Sequence, residues 1–171
     1  MYKRFKYKPA VIGLGYVGLP LLAQIARKYK VTGFDINQIR VNELSNNLDT
    51  THELSVKHLK EIRENIIYES DEKSLLNKNF YIITVPTPIK RNKDPDLSYI
   101  YSATKCVSKY IKKGDIIVYE CTVYPGVTEK YCGDIVSKNT GFLLNKDFFL
   151  GYSPERINPG DKKNELSKID K

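Results

Sequence analysis

The sequence predicts an α/β fold in which helices cover both faces of a doubly wound parallel sheet. Two observations lead to this prediction. Apolar segments of strand length alternate with longer segments of helical periodicity along the 171 residues. The strand candidates are also apolar without interruption, as strands buried on both faces are. We therefore expect strand–helix–strand units with right-handed crossovers.

The predicted elements follow one another in a regular order. Six strands are expected, at residues 10–14, 31–34, 66–68, 80–85, 116–119 and 148–152. Five helices are expected, at residues 19–29, 39–44, 56–62, 98–111 and 127–136. Pro20 fits the first turn of the first helix, where its missing N–H costs no hydrogen bond, and Ser98 is the expected N-cap of the fourth. The polar tail from Gly160 has no apolar periodicity, so we expect the domain to be truncated near its end.

Charge and hydropathy limit the classes of partner. The chain carries 28 Lys and Arg against 20 Asp and Glu, a net charge of +8. The scattered excess favours anionic small molecules such as dinucleotides and nucleotide sugars, or reflects a lysine-rich composition alone. No nucleic-acid-binding motif accompanies the basic clusters, so we expect no nucleic-acid partner. The apolar segments are too short to span a membrane and no signal-peptide cleavage site is present, so we expect a cytoplasmic protein.

The cysteines indicate neither a disulfide scaffold nor a metal site. There are three, Cys106, Cys121 and Cys132, and no C-x-x-C pair. An odd number without paired spacing argues against both structural roles. We expect thiols in a reducing compartment and no bound metal.

A glycine-rich loop after the first strand indicates a dinucleotide site. Residues 13–18 read Gly-Leu-Gly-Tyr-Val-Gly, which fits G-x-G-x-x-G between a strand and a helix. Gly13 permits the tight turn, Gly15 lets the backbone approach a pyrophosphate, and Gly18 lets the helix pack closely on the strand. The helix N-terminus adds N–H groups and a partial positive charge. This pattern predicts a Rossmann-type dinucleotide-binding domain over residues 1–171.

An acidic residue completes this fingerprint. Asp35 follows the second predicted strand, 22 residues after Gly13. Its carboxylate can accept both ribose hydroxyls and would repel a 2′-phosphate, which favours NAD over NADP. Arg40 lies near enough in sequence to neutralise a 2′-phosphate, which is the alternative.

Three further segments follow predicted strands, where a doubly wound sheet places its chemistry. They read Val-Pro-Thr-Pro at 85–88, Glu-Cys-Thr-Val-Tyr-Pro-Gly at 120–126 and Tyr-Ser-Pro-Glu-Arg-Ile-Asn-Pro-Gly-Asp at 152–161. Each alone is compatible with an ordinary turn. Together with the glycine loop they resemble the UDP-glucose/GDP-mannose dehydrogenase family, and within it the bacterial UDP-N-acetylhexosamine 6-dehydrogenases of surface polysaccharide pathways. The resemblance covers residues 9–171.

The resemblance implies a cofactor and its contacts. Family members oxidise the C6 alcohol of a UDP-sugar to a carboxylate with two NAD, through a thioester on a cysteine. Tyr16 and Val17 would lie against the pyrophosphate, and Asp35 and Arg40 at the adenosine ribose. Thr87 would contact the phosphate–ribose region.

The resemblance also implies roles on the substrate side. Thr122 would lie near the nicotinamide and help to hold the catalytic water. Glu155 would be the acid/base group for that water, a role that suits a carboxylate whose pKa is raised by desolvation. Arg156 would approach the substrate or its phosphates.

Departures from the family pattern refine these expectations. Residues 156–159 read Arg-Ile-Asn-Pro where UDP-glucose enzymes usually carry Phe-Leu and a second Glu, which favours an N-acetylhexosamine substrate. Cys121 is interpreted as a small neighbour of Thr122 and not as a nucleophile. The family's nucleophilic cysteine segment, its central dimerisation helix and its C-terminal substrate domain are not found. We therefore expect a homodimer only in the full-length form, and NAD binding without turnover by this chain.

Several alternatives stay open at this point. The chain could belong to a UDP-glucose 6-dehydrogenase. It could also belong to a β-hydroxyacid dehydrogenase, although such an enzyme should lack the motifs at 122–126 and 153–156. It could also be a non-catalytic NAD-binding module. A fragment should expose an apolar face, whereas such a module should not. Binding to nucleic acid through charge alone predicts a steep dependence on salt.

Overall fold

Six parallel strands form one sheet in the part of the chain that the structure describes. The computed structural model describes residues 6–154. The strands are β1 (Pro9–Ile12), β2 (Val31–Phe34), β3 (Ile66–Glu69), β4 (Phe80–Ile83), β5 (Asp115–Tyr119) and β6 (Phe148–Tyr152). Their order in the sheet is β3-β2-β1-β4-β5-β6, and every adjacent pair is parallel. The predicted doubly wound sheet is confirmed, and all six strands overlap the predicted positions, with ends that differ by at most two residues.

Within residues 6–154, five α-helices accompany the strands. They are α1 (Gly18–Ala26), α2 (Gln38–Ser45), α3 (Val56–Ile62), α4 (Ser98–Ser108) and α5 (Gly133–Thr140). Pro20 lies in the first turn of α1, as predicted. Ser98 is not the N-cap of α4: that position is Leu97, and the Asp96 carboxylate accepts the Ser98 N–H at 3.0 Å. An acidic side chain two residues earlier satisfies the first helical N–H instead.

The last predicted helix consists of a π-helix followed by an α-helix. Residues Val127–Cys132 form a π-helix, and α5 begins only at Gly133. Gly126 precedes it with φ of 96°, and its carbonyl accepts N–H groups from both Lys130 and Tyr131. A left-handed glycine followed by wide π turns is a local feature that apolar spacing does not reveal.

Two hydrophobic cores lie on opposite faces of the sheet. One includes Ile83, Ile117 and Phe148 with the apolar faces of α4 and α5. The other includes residues of β1 to β3 with the apolar faces of α1, α2 and α3. On that second face, Ile82 of β4 is still buried, but coverage is incomplete over β5 and β6 in the described part of the chain, and Phe149 is 41% exposed. The expectation of two covered faces therefore holds for only part of the sheet.

Strand order fixes where a ligand can bind. β1 pairs with β2 on one side and with β4 on the other. The strands added after β1 lie on its first side up to β3 and on its second side from β4 to β6, so the strand order reverses beside β1. A crevice opens beyond the carboxyl ends of the strands at such a switch point. The glycine loop follows β1 and therefore lies at this crevice. Between residues 6 and 154, no helix is long and apolar enough to cross a membrane.

Candidate functional site

The glycine loop joins β1 to α1 by a tight turn. Gly13 has φ of 95°, a left-handed conformation that side chains rarely adopt, and its N–H donates to the Phe34 carbonyl at 2.8 Å. A Cβ atom at Gly18 would lie 1.9 Å from the Gly13 carbonyl oxygen. Both positions therefore require glycine for reasons internal to the fold.

Gly15 differs because its surroundings are open. A Cβ atom there would meet no atom of the described structure within 4 Å. Tyr16, the next residue, is 52% exposed, and Val17 is half-buried as the N-cap of α1. A phosphate group can therefore approach the loop backbone from its outer side, where the N-terminus of α1 contributes a partial positive charge. Contact of Tyr16 and Val17 with a pyrophosphate stays a prediction.

Asp35 lies directly against this loop. Its Oδ2 accepts the Leu14 N–H at 2.8 Å, and its Oδ1 accepts the Asn37 N–H at 2.9 Å. Asn37 in turn caps α2 through the Ile39 N–H. The carboxylate is held at the end of β2 by backbone donors, and its remaining lone pairs can accept ribose hydroxyls.

Arg40 is engaged by the protein itself. The residue is buried, its Nε donates to the Leu14 carbonyl at 2.9 Å, and its Nη2 lies 2.8 Å from the Asp49 Oδ1. Burial raises the pKa of Asp49, but hydrogen bonds from Thr51, Leu54 and Arg40 outweigh it and hold that pKa below the ordinary value. With its charge balanced by Asp49, Arg40 is poorly placed to neutralise a 2′-phosphate. Its predicted contact with the adenosine ribose stays a prediction.

The later motifs lie at the same edge of the sheet. Thr87 is half-buried in the loop after β4, and Thr122 is exposed in the loop after β5. Cys121 ties these two loops together, because its buried Sγ lies 3.3 Å from the carbonyl oxygens of both Ile83 and Val85. The predicted roles of Thr87 and Thr122 toward a ligand stay predictions. Glu155 and Arg156 lie outside the described residues.

The other two thiols are kept protonated. Burial raises the pKa of Cys106 to about 11, helped by its hydrogen bond to Glu72, and burial also raises the pKa of Cys132. Neither is therefore an activated nucleophile. None of the three cysteines is in a disulfide. Within residues 6–154, no group of three or more His, Cys, Asp or Glu side chains could hold a metal ion.

Thr84 is a site residue that the sequence analysis missed. It follows β4 directly, and its Oγ1 lies 2.7 Å from the Gly13 carbonyl oxygen. The only signal in the sequence is a polar residue inside the apolar segment 80–85. The pattern alone does not say that this hydroxyl reaches the glycine loop, 71 residues away along the chain.

Fold and loop together define a Rossmann-type dinucleotide-binding domain. Its sheet order, its left-handed first glycine and its acidic residue at the end of β2 all fit that class. The chain belongs to the UDP-glucose/GDP-mannose dehydrogenase family, since residues 7–171 match the NAD binding domain of that family. The cofactor of this domain is NAD.

Individual relatives agree with this assignment. UDP-N-acetyl-D-glucosamine 6-dehydrogenase of Pseudomonas aeruginosa is 49% identical over 164 residues, which are 96% of this chain and 39% of that protein. Protein CapL of Staphylococcus aureus is 49% identical over 162 residues, 95% of this chain and 38% of that protein. The solved structure of UDP-D-ManNAc dehydrogenase from Pyrococcus horikoshii has a TM-score of 0.83 at 32% identity, covering 90% of this chain and 37% of that one. The chain spans less than half the length of these relatives.

Proposed function

We propose that this chain is the NAD-binding part of a nucleotide-sugar 6-dehydrogenase. The substrate would be UDP-N-acetylglucosamine or UDP-N-acetylgalactosamine, oxidised at C6 to the uronate for surface polysaccharide synthesis. The observation that carries the proposal is the glycine loop bound to the Asp35 carboxylate, in a chain 49% identical to a UDP-N-acetyl-D-glucosamine 6-dehydrogenase. Conversion of an alcohol to a carboxylate removes two hydrides, so two NAD are consumed and water supplies the second oxygen.

The residues of this chain fit NAD. The open side of Gly15 would admit the pyrophosphate, and Tyr16, Val17 and Thr87 would line its path. The Asp35 carboxylate would accept the ribose hydroxyls, with Arg40 supporting the loop beneath them. Bound NAD supplies the hydride acceptor, and the protein supplies orientation.

Substrate-side chemistry is proposed for three residues. Thr122 would hold the attacking water beside the nicotinamide, and Arg156 would bind the anionic substrate. Glu155 would take the proton of this water as it attacks the thioester and pass it to the departing cysteine thiolate when the C–S bond breaks. These assignments rest on the family motifs. A positioned carboxylate exchanging protons with water is a standard acid–base arrangement.

Titration calorimetry on the purified chain tests the binding half of the proposal. We expect NAD to bind, and NADP to bind at least roughly tenfold more weakly because the Asp35 carboxylate repels a 2′-phosphate. We also expect no NADH when UDP-sugars are added, because groups that act together must be held on one substrate. Equal affinity for NADP would contradict the role of Asp35. NADH formation by this chain would contradict the proposed need for further parts of the enzyme.

The native gene product tests the catalytic half. Its intact mass would be compared with the 19.7 kDa of this chain. A larger product would be assayed for NADH formation with UDP-N-acetylglucosamine, UDP-N-acetylgalactosamine and UDP-glucose, with light scattering to test the proposed homodimer and cell fractionation to test the proposed cytoplasmic location. A preference for UDP-glucose would contradict the proposed substrate class. A product of the same mass as this chain would contradict a catalytic role.

A further inference from the structure

Thr84 places a hydroxyl beneath the first turn of the glycine loop. The residue is 7% exposed, and its backbone N–H donates to the Ile12 carbonyl at 2.9 Å. Its Oγ1 lies 3.0 Å from that same carbonyl oxygen and 2.7 Å from the Gly13 carbonyl oxygen. A hydroxyl carries one hydrogen. The hydroxyl can donate this hydrogen to either carbonyl oxygen, and the Gly13 oxygen is the nearer of the two.

The same peptide unit is held from its other end. The N–H of Leu14 donates to the Asp35 Oδ2 at 2.8 Å. The Gly13–Leu14 peptide is therefore bound on its carbonyl side from the end of β4 and on its N–H side from the end of β2. These are the two strands that flank β1 in the sheet. Glycine alone does not fix this orientation, because its backbone is permissive.

Thr84 also contacts the end of the loop. A Cβ atom built on Gly18 would lie 2.5 Å from the Thr84 Oγ1. The hydroxyl thus lies between the residue that leaves β1 and the residue that begins α1. One hydroxyl is therefore close to both ends of the segment that contains Gly15.

We propose that Thr84 is a positioning residue for the cofactor. Its hydroxyl orients the Gly13–Leu14 peptide, and through it the loop backbone that meets the pyrophosphate, without touching the cofactor. The inference rests on the proposed NAD-binding function and adds a specific side chain to it. Preorganised loops bind more tightly because less ordering accompanies binding.

Two substitutions separate positioning from general stability. Thr84→Val keeps the shape and removes the donor, whereas Thr84→Ser keeps the hydroxyl. Thr104→Val is the matched control, because Thr104 is a fully buried residue of α4 whose hydroxyl bonds Tyr119 at 2.8 Å, in the core on the sheet face opposite α1. NAD affinity is measured by calorimetry on the full chain, and stability by urea unfolding.

We expect the NAD dissociation constant to rise roughly three- to tenfold in Thr84→Val, the range that one net hydrogen bond supports. The NAD dissociation constants of Thr84→Ser and Thr104→Val should stay within about twofold of the wild-type value. Unchanged affinity in Thr84→Val, or an equal loss in Thr104→Val, would overturn the inference. If the wild-type chain does not bind NAD, both the proposed function and this inference fail. Thr84→Ala serves as the test if the valine variant does not fold.

Discussion

The glycines of the loop are required for different physical reasons, although the sequence motif shows the same residue at each position. At Gly15 a side chain would enter open space, whereas at Gly18 it would collide with the Gly13 carbonyl. Gly15 does not have a positive φ, so a substitution there causes no backbone strain. The ligand and the fold therefore constrain separate positions, and single substitutions can distinguish them.

We predict opposite phenotypes for Gly15→Val and Gly18→Ala. Gly15→Val should leave the free energy of unfolding nearly unchanged and weaken NAD binding by roughly tenfold or more, because the new side chain occupies the approach to the backbone. Gly18→Ala should lower the free energy of unfolding by about 3 kcal/mol, the upper end of overpacking costs. Urea unfolding and calorimetry on both variants check this. A Gly15→Val protein that binds NAD as the wild type does would show that the pyrophosphate lies elsewhere.

At the scale of an element, Arg40 ties α2 to the glycine loop, and Asp49 pairs with Arg40 from the segment after α2. Arg40 reaches the Leu14 carbonyl, and Asp49 also accepts the N–H groups of Thr51, Glu53 and Leu54. The side chains of Arg40 and Asp49 are 8% and 1% exposed. Glu43 also lies 3.6 Å from Arg40 but is 24% exposed, so loss of Asp49 would leave the buried Arg40 charge with only this longer and more exposed partner.

We predict that Asp49→Asn lowers the free energy of unfolding by about 3 kcal/mol near neutral pH, the lower end of the cost of breaking a buried ion pair, because Glu43 stays near Arg40. The folded-state pKa of Asp49 is depressed, so its contribution is complete above the unfolded pKa of about 3.9 and is lost as pH falls through the folded value. The stability gap between wild type and variant should therefore narrow below about pH 4. Urea unfolding across this range measures it, with Glu72→Gln at the exposed Lys109 pair as the control. A difference in the free energy of unfolding that stays constant with pH would contradict the stabilising role of the ionised Asp49 carboxylate.

Helices and strands could be predicted where their pattern lies within a short segment of the sequence. The strands matched because each is a short apolar run, and α3 began and ended at the predicted residues. The N-cap of α4 was wrong because Asp96 and Ser98 compete for the same position, and the choice depends on how the chain approaches the helix. Thr84 and the Arg40–Asp49 pair depend on contacts between segments that the motifs treat separately. Residues that hold the loop through such contacts could therefore not be predicted from the motifs, and the ligand contacts that the motifs indicate stay predictions.

For the molecule as a whole, the sheet is covered unevenly. Along β5, Ile117 is fully buried while Ile116 and Val118 on the opposite face are half-buried. The register aligns Phe80 with Ile116, and Ile116 with Phe149, so these three form one apolar row across β4, β5 and β6. Phe149 at its end is 41% exposed. Sequence patterns predicted buried strands but could not show which described segments would cover them.

We predict that this row makes the isolated chain bind an apolar dye and self-associate, because a contiguous apolar strip on a sheet face favours association. Phe149→Lys should lower both dye fluorescence and the associated fraction seen by light scattering. Leu76→Lys is the matched control, since Leu76 is 52% exposed in the loop after the turn at Glu72–Leu75 and lies outside the row. An equal decrease in both variants would mean that dispersed exposed side chains, and not the sheet face, govern association. No decrease in Phe149→Lys would mean that the row is shielded in solution by residues of the same chain.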